Sequence, residues 1–214
     1  MSRPTLSAER AVFRYPRPLL SRREGFAVGP VDLELGPGLH HLAGPNGAGK
    51  STLLRALAGG LRLSEGVARV CGQDVERPAT RARVALLPGR PSLPGFLSVD
   101  EAWRLLAGLR GASTWDGRPY REALGLPGGL RLSAASDGQA RKAELVAALA
   151  GDPPVLLLDE PLALMDAATV ALLETWVAGW RADRVVLVTS HEALPFQVDS
   201  RAELLVGRGL SWRA

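Results

Sequence analysis

Apolar positions along this chain come in short runs separated by turns and by stretches of mixed polarity. Val155–Leu158 and Val185–Thr189 are continuous apolar runs, the pattern of strands buried on both faces. Arg10–Tyr15, Val31–Leu35, Leu39–Ala43, Val67–Cys71 and Val84–Leu87 read as further strands, with Pro37-Gly38 punctuating the early ones. Ser51–Leu61, Gln139–Ala150 and Ala167–Trp180 read as helices. Strand-sized runs alternating with helices predict an α/β chain whose mainly parallel sheet is covered on both faces. From Pro88 to about Ser136 the texture changes. Helical patches such as Val99–Leu109 alternate with the breaks Pro88-Gly89, Pro94-Gly95 and Pro127-Gly128-Gly129, which predicts a small helical lobe.

Composition narrows the class. At 214 residues the chain can bury one substantial core, and we expect a single domain over 1–214 with a lobe inserted at 88–136. The one cysteine, Cys71, supplies no disulfide framework, which suits a reducing cytosol. The N-terminal residues lack the apolar core of a signal peptide, and no apolar run is long enough to span a membrane. A role at a membrane would therefore need a separate spanning subunit. The net charge of +4 comes from scattered arginines without a clustered stripe, so no nucleic-acid partner is expected. The only two lysines are Lys50 and Lys142, and the first sits inside a glycine loop, where a compact ammonium fits better than a planar guanidinium.

That loop carries the first chemistry. Gly44-Pro45-Asn46-Gly47-Ala48-Gly49-Lys50-Ser51 matches G-x-x-x-x-G-K-[ST] between a strand and a helix. Glycines let backbone amides turn toward phosphate oxygens, and the following helix points its positive end at the same charge. Lys50 is expected to reach the β- and γ-phosphates and the Ser51 hydroxyl to bind Mg²⁺. Val155–Leu158 then runs into Asp159 and Glu160, two acids at the end of a buried strand. Asp159 is assigned to Mg²⁺ and Glu160 to the attacking water as general base. His191, just past Val185–Thr189, can orient that water or stabilise developing charge. His40 and His41 receive no chemistry. Kinases and GTPases share the loop. The acidic pair and the lack of an Asn-Lys-x-Asp segment favour ATP over GTP.

Together these segments resemble the ATP-binding subunits of ABC transporters over nearly the whole chain. Gly44 through Thr52 is similar to the Walker A segment and Leu156–Pro161 to Walker B. Ala163-Leu164-Met165-Asp166 is similar to the D-loop, and His191 to the switch histidine. Tyr15 resembles the A-loop aromatic that stacks on adenine. The Leu-Ser-Gly-Gly-Gln signature has two registers here, Leu132–Ala135 and Ala135–Gln139. The second keeps Ser136, Gly138 and Gln139 at the right distance from Val155–Leu158 and is preferred. The resemblance implies a P-loop NTPase core with an N-terminal antiparallel β lobe. It also implies a homodimer or pseudo-symmetric dimer with two ATP molecules in its interface, Ser136, Gly138, Gln139 and Asp166 contributing to nucleotide binding. A membrane-embedded transporter subunit would be the partner, on the cytoplasmic face of the membrane. The short helical lobe is similar to compact exporters, so export is the expected direction.

One position departs from the family pattern. A glutamine is expected just after Val84–Pro88, yet the residue is Gly89, and the three glutamines of the chain, Gln73, Gln139 and Gln197, lie elsewhere. Two functional expectations follow. One is transport-coupled ATP hydrolysis, slowed by the missing side chain, with water or Arg90 filling the gap and a glutamine at 89 raising turnover. The other is an ATP-gated dimerisation switch with little turnover. A small-molecule kinase would leave the Ser136–Gln139 segment unexplained.

Overall fold

The computed structural model describes residues 3–14, 27–191, 193–205, 207 and 209–213. The chain begins with strands β1 (Leu6–Arg14), β2 (Ala27–Leu35) and β3 (Gly38–Ala43), then helix α1 (Lys50–Leu57). Next come β4 (Leu63–Val70), β5 (Gln73–Asp74), the short helix α2 (Pro78–Arg81) and β6 (Val84–Leu87). Helices α3 (Val99–Leu109) and α4 (Arg118–Ala123) precede α5 (Asp137–Leu149), β7 (Val155–Asp159) and α6 (Ala167–Trp180). Strands β8 (Val185–Thr189), β9 (Ser200–Glu203) and β10 (Leu210–Arg213) complete the series.

Two sheets result. The first, in the order β10-β2-β1-β4-β5, is antiparallel except where β10 runs parallel to β2. The second, β6-β7-β8-β3-β9, is parallel at every pairing. The mainly parallel core and the antiparallel N-terminal sheet are thus both present.

Side-chain alternation explains the continuous apolar runs. In β7, Val155 and Leu157 join a core shared with the first sheet and α1, while Leu156 and Leu158 join a second core under α3, α5 and α6. The same split recurs in β8, with Val185 and Leu187 on one side and Val186 and Val188 on the other. A strand with an apolar layer on each face has no use for polar positions, so period two disappears from its sequence. β2, with one face wet, keeps the alternation: Val31, Leu33 and Leu35 are buried, and Asp32 and Glu34 between them are exposed.

Residues 88–136 hold α3 and α4, joined to the rest by an aromatic ladder. Trp103 meets Trp115 edge-on at 5.7 Å, Trp115 stacks on Tyr120 at 5.8 Å, and Tyr120 meets Trp176 of α6 at 5.0 Å. These are favourable centroid distances for ring pairs.

Three sequence expectations shift. The helix after the glycine loop ends at Leu57, not Leu61, because Gly59 at φ 74° turns the chain and a Cβ there would lie 2.4 Å from the Val75 carbonyl oxygen. Strands β9 and β10 were not anticipated, since Ser200–Glu203 is polar and alternates between half-buried and exposed. The helix expected from Gln139 begins two residues earlier, at Asp137.

Arg110, at the end of α3, donates to the carbonyls of Ala148 at 2.8 Å and Ala150 at 2.5 Å, closing the C-terminal end of α5. Burial lowers its guanidinium to about 10, still charged at neutral pH. A cation is favoured at a helix C-terminus, where the last carbonyls lack intrahelical partners. Replacing it by methionine keeps most of the apolar stem and orphans those carbonyls. Arg110→Met should cost about 2 kcal/mol and lower the thermal midpoint by roughly 4–8 °C, measured by calorimetry.

Candidate functional site

In a parallel sheet all strands deliver their C-terminal ends to one edge, and loops leaving that edge form the binding crevice. Here β6, β7, β8 and β3 are consecutive neighbours. They deliver Gly89, Asp159–Glu160, His191 and the glycine loop to one place. These residues line a single cavity of about 610 Å³ together with Pro45, Asn46, Gly47, Gly49, Lys50, Ser51, Thr52, Arg55 and Arg90.

The loop needs its glycines. Gly44 has φ 144° and a Cβ there would lie 2.3 Å from the Leu204 carbonyl oxygen; Gly49, capping α1, has φ 103°. The cap offers no side-chain acceptor and the first turn has no acid, so the amides of the helix start are left to an anion in the cavity. Ala48 is buried and supports the loop from behind. Lys50 Nζ folds inward, donating to Gly44 O at 2.6 Å and Pro45 O at 3.2 Å.

Asp159 and Glu160 are held by a network of neutral and charged donors. Thr189, fully buried at the end of β8, donates its hydroxyl to Asp159 Oδ1 at 2.7 Å and accepts the Glu160 amide at 3.1 Å. The Gly89 amide donates to Asp159 Oδ2 at 3.2 Å. Glu160 has φ 50°, a left-handed conformation uncommon outside glycine and worth about 1–2 kcal/mol of strain. Bonds on both sides hold it there: its amide donates to Thr189, and its carbonyl accepts from Arg141 at 2.9 Å. The Glu160 carboxylate lies 3.1 Å from His191 Nδ1.

Arg141 of α5 is almost wholly buried and also donates to the carbonyls of Asp159, at 2.6 Å, and Pro88. Burial lowers the guanidinium's pKa, opposed by the charges of Glu144, Asp159 and Glu160. Glu144, one turn on, accepts the amides of Ser92 and of Leu93, the latter at 3.0 Å.

Mg²⁺ is typically held by one or two carboxylates completed by phosphate oxygens and water. The donor set fits. Asp159 keeps free lone pairs beside its two hydrogen bonds, and Ser51 brings a hydroxyl to the same cavity.

Other expected residues lie elsewhere. Ser136 and Gln139 are outside the cavity and form a capping box at the start of α5, each side chain accepting the other's backbone amide. Gly138 lies on the same turn, with Leu164 O 3.3 Å from where its Cβ would be. Asp166 is also outside the cavity. Its carboxylate binds Lys142 Nζ at 2.7 Å and caps α6 through Thr169, and the Lys142 ammonium chiefly holds its pKa well below the usual carboxylate range. A side chain so engaged shapes the turn between β7 and α6. Tyr15 lies outside the described residues. His40 and His41 are buried, bonded to Ser200 and Ser190 respectively. Thr189, Arg141 and Glu144 escaped the sequence reading. Only Thr189 left a signal, as a lone hydroxyl ending an apolar run next to two acids.

This is the site of a P-loop ATPase. The family model described as ABC transporter matches residues 28–163, and the chain belongs to that family. It is 35% identical to the hemin import ATP-binding protein HmuV of Streptomyces coelicolor, over 75% of this chain and 68% of that protein. It is 34% identical to the cytochrome c biogenesis ATP-binding export protein CcmA of Xanthomonas axonopodis, over 81% and 83%. The chain spans only 9% of the ABC transporter ced-7 of Caenorhabditis elegans, to which it is 35% identical. Among solved structures, a bacterial Atm1-family ABC exporter with ATP bound shares the fold at TM-score 0.76 and 22% identity, over 96% of this chain and 38% of that one. A dimeric ATP-binding cassette with ADP and phosphate shares it at 0.71 and 18%, over 87% and 88%.

Gly89 stands directly against Asp159. A Cβ at this position would lie 2.8 Å from Asp159 Oδ2, so a side chain there requires the carboxylate, held by Thr189, to shift. Gly89→Ala should therefore lower steady-state ATP turnover roughly ten- to hundred-fold, and Gly89→Gln should not raise it. A phosphate-release assay on both variants checks this.

Proposed function

We propose that this chain binds and hydrolyses ATP as one half of a dimer and drives transport through a separate membrane-embedded subunit. The observation that carries the reading is the meeting of the glycine loop, Asp159 and the Glu160–His191 pair in one cavity at four neighbouring strand ends. Loop amides and Lys50 bind the phosphates. Ser51 and Asp159 would hold Mg²⁺, which would offset the phosphate charge. Glu160 takes the proton of the attacking water, and His191, 3.1 Å from it, orients the pair. Tyr15 is assigned to adenine on its resemblance alone.

Ser136, Gly138 and Gln139 stand away from the chain's own cavity at the start of a 13-residue helix. That supports their use across a dimer interface, on the phosphate held by the second subunit. We read 1–214 as one ATP-binding domain with 88–136 as its helical lobe. Among the described residues no helix is long and apolar enough to cross a membrane, which supports a peripheral position on the cytoplasmic face beside a spanning partner. The short lobe favours export, while the relatives divide between import and export proteins.

The second reading, an ATP-gated dimerisation switch, draws on Gly89, which brings no side chain to the cavity. Steady-state turnover near zero with ATP-dependent dimerisation intact would favour it.

Glu160→Gln should leave ATP affinity within about two-fold while cutting turnover by roughly 10²-fold or more, and should accumulate an ATP-bound dimer visible by size-exclusion chromatography. Lys50→Ala should weaken ATP binding at least roughly ten-fold by calorimetry. Normal turnover in the first variant, or unchanged affinity in the second, would remove that residue from its role.

A further inference from the structure

The segment after β6 is pinned through its backbone. Pro88 O accepts from Arg141, Gly89 N donates to Asp159 Oδ2 at 3.2 Å, and the amides of Ser92 and Leu93 donate to Glu144. Four of six consecutive residues are thereby fixed to buried or half-buried groups by main-chain atoms, and the Leu93 side chain packs against the second core. Arg90 stands in the middle of this pinned stretch. It is exposed, lines the cavity with Lys50, Ser51, Glu160 and His191, and makes no hydrogen bond or ion pair among the described residues. Gly89 beside it adds no side chain to fill the space.

We propose that Arg90 is a phosphate ligand, its guanidinium engaging the γ-phosphate of ATP held in its own chain. The inference rests on the ATP-binding reading of the cavity and adds to it a residue that neither the glycine loop nor the acidic pair contains. Position on the sheet argues for the γ end. Arg90 follows β6, the strand beside β7, and so stands on the side of Asp159 and Glu160, where the terminal phosphate must lie for water to attack it. Chemistry argues for arginine. Its planar fork matches phosphate oxygens in pairs, and the guanidinium stays charged throughout. A fixed positive charge stabilises the negative charge that develops as the γ-phosphoryl group leaves ADP for water, in the manner of an arginine supplied in cis. The pinned backbone limits the reorganisation such a contact would require. A neutral side chain is absent at 89, and a charged one at 90 takes its place.

The test is made in the Glu160→Gln background, so that ATP survives titration. Calorimetry with Mg²⁺-ATP and Mg²⁺-ADP is run on the full chain with Arg90 intact, with Arg90→Ala and with Arg90→Lys. We expect Arg90→Ala to weaken ATP roughly ten-fold or more, to leave ADP within about two-fold, and Arg90→Lys to recover part of the loss. Unchanged ADP affinity also reports an intact fold. With Glu160 restored, Arg90→Ala should lower kcat more than it raises KM. Equal losses for ATP and ADP, or no loss for either, would overturn the assignment of Arg90 to the γ-phosphate. Failure of the parent with Arg90 intact to bind ATP would instead overturn the reading of the cavity itself.

Discussion

One buried guanidinium sits where three parts of this molecule meet. Arg141 leaves helix α5 and donates to the carbonyls at the ends of β6 and β7, including those of Asp159 and Glu160. A charge removed from water is tolerable only if it is paired and its donors are used. The first condition is met by Glu144, 3.9 Å away on the next turn, and the second in part: the carbonyls take the two terminal nitrogens, while Nε is buried without a hydrogen-bond partner among the described residues. Glu144 is held in turn by the amides of Ser92 and Leu93. The strand ends, the loop after β6 and the helix therefore form one electrostatic unit. Removing one partner of such a pair typically costs about 3–5 kcal/mol, so the geometry of the acidic pair depends on a residue that never enters the cavity.

That unit lets Glu160 hold a strained backbone. A glutamate at φ 50° would relax if its neighbours allowed it. Thr189 fixes the amide before its side chain and Arg141 the carbonyl after it, and the carboxylate is thereby aimed at His191. The same threonine hydroxyl orients Asp159. One short polar side chain, buried between two acids, sets the spacing of their carboxylates.

Much of this was legible in the sequence, for a physical reason. Strands buried on both faces must be continuous apolar runs, and a charged or glycine-rich segment directly after such a run can only lie at the sheet edge. Gly44–Thr52, Asp159–Glu160 and His191 announced themselves in that way. Arg141 and Glu144 did not, because charged residues on a helix ordinarily read as its wet face, and nothing local says that this face is turned inward. The bonds of Asp166 were hidden for a related reason. A sequence pattern gives position, while the competing uses of a carboxylate, here Lys142 and the start of α6, appear only in three dimensions. β9 was hidden by its polarity: an edge strand bonded on one side to β3 needs little apolar surface.

Helix α5 gives the arrangement a consequence beyond the cavity. Its first turn, from Ser136 to Gln139, is exposed or half-buried and capped by its own side chains. Arg141 follows within the next turn, bonded to the carbonyls flanking the base, and the far end is closed by Arg110 from α3. The 13-residue helix is thus held at its buried side and at its C-terminal end. A displacement of its exposed N-terminus would draw on the guanidinium, and through it on the carbonyls of Asp159 and Glu160. The physical link between an event at the exposed end of α5 and the posture of the base inside is therefore short and made of named bonds. In the proposed dimer, coupling of this kind needs no long pathway through the core, because the helix that would meet a second subunit is the one that holds Glu160 of the first.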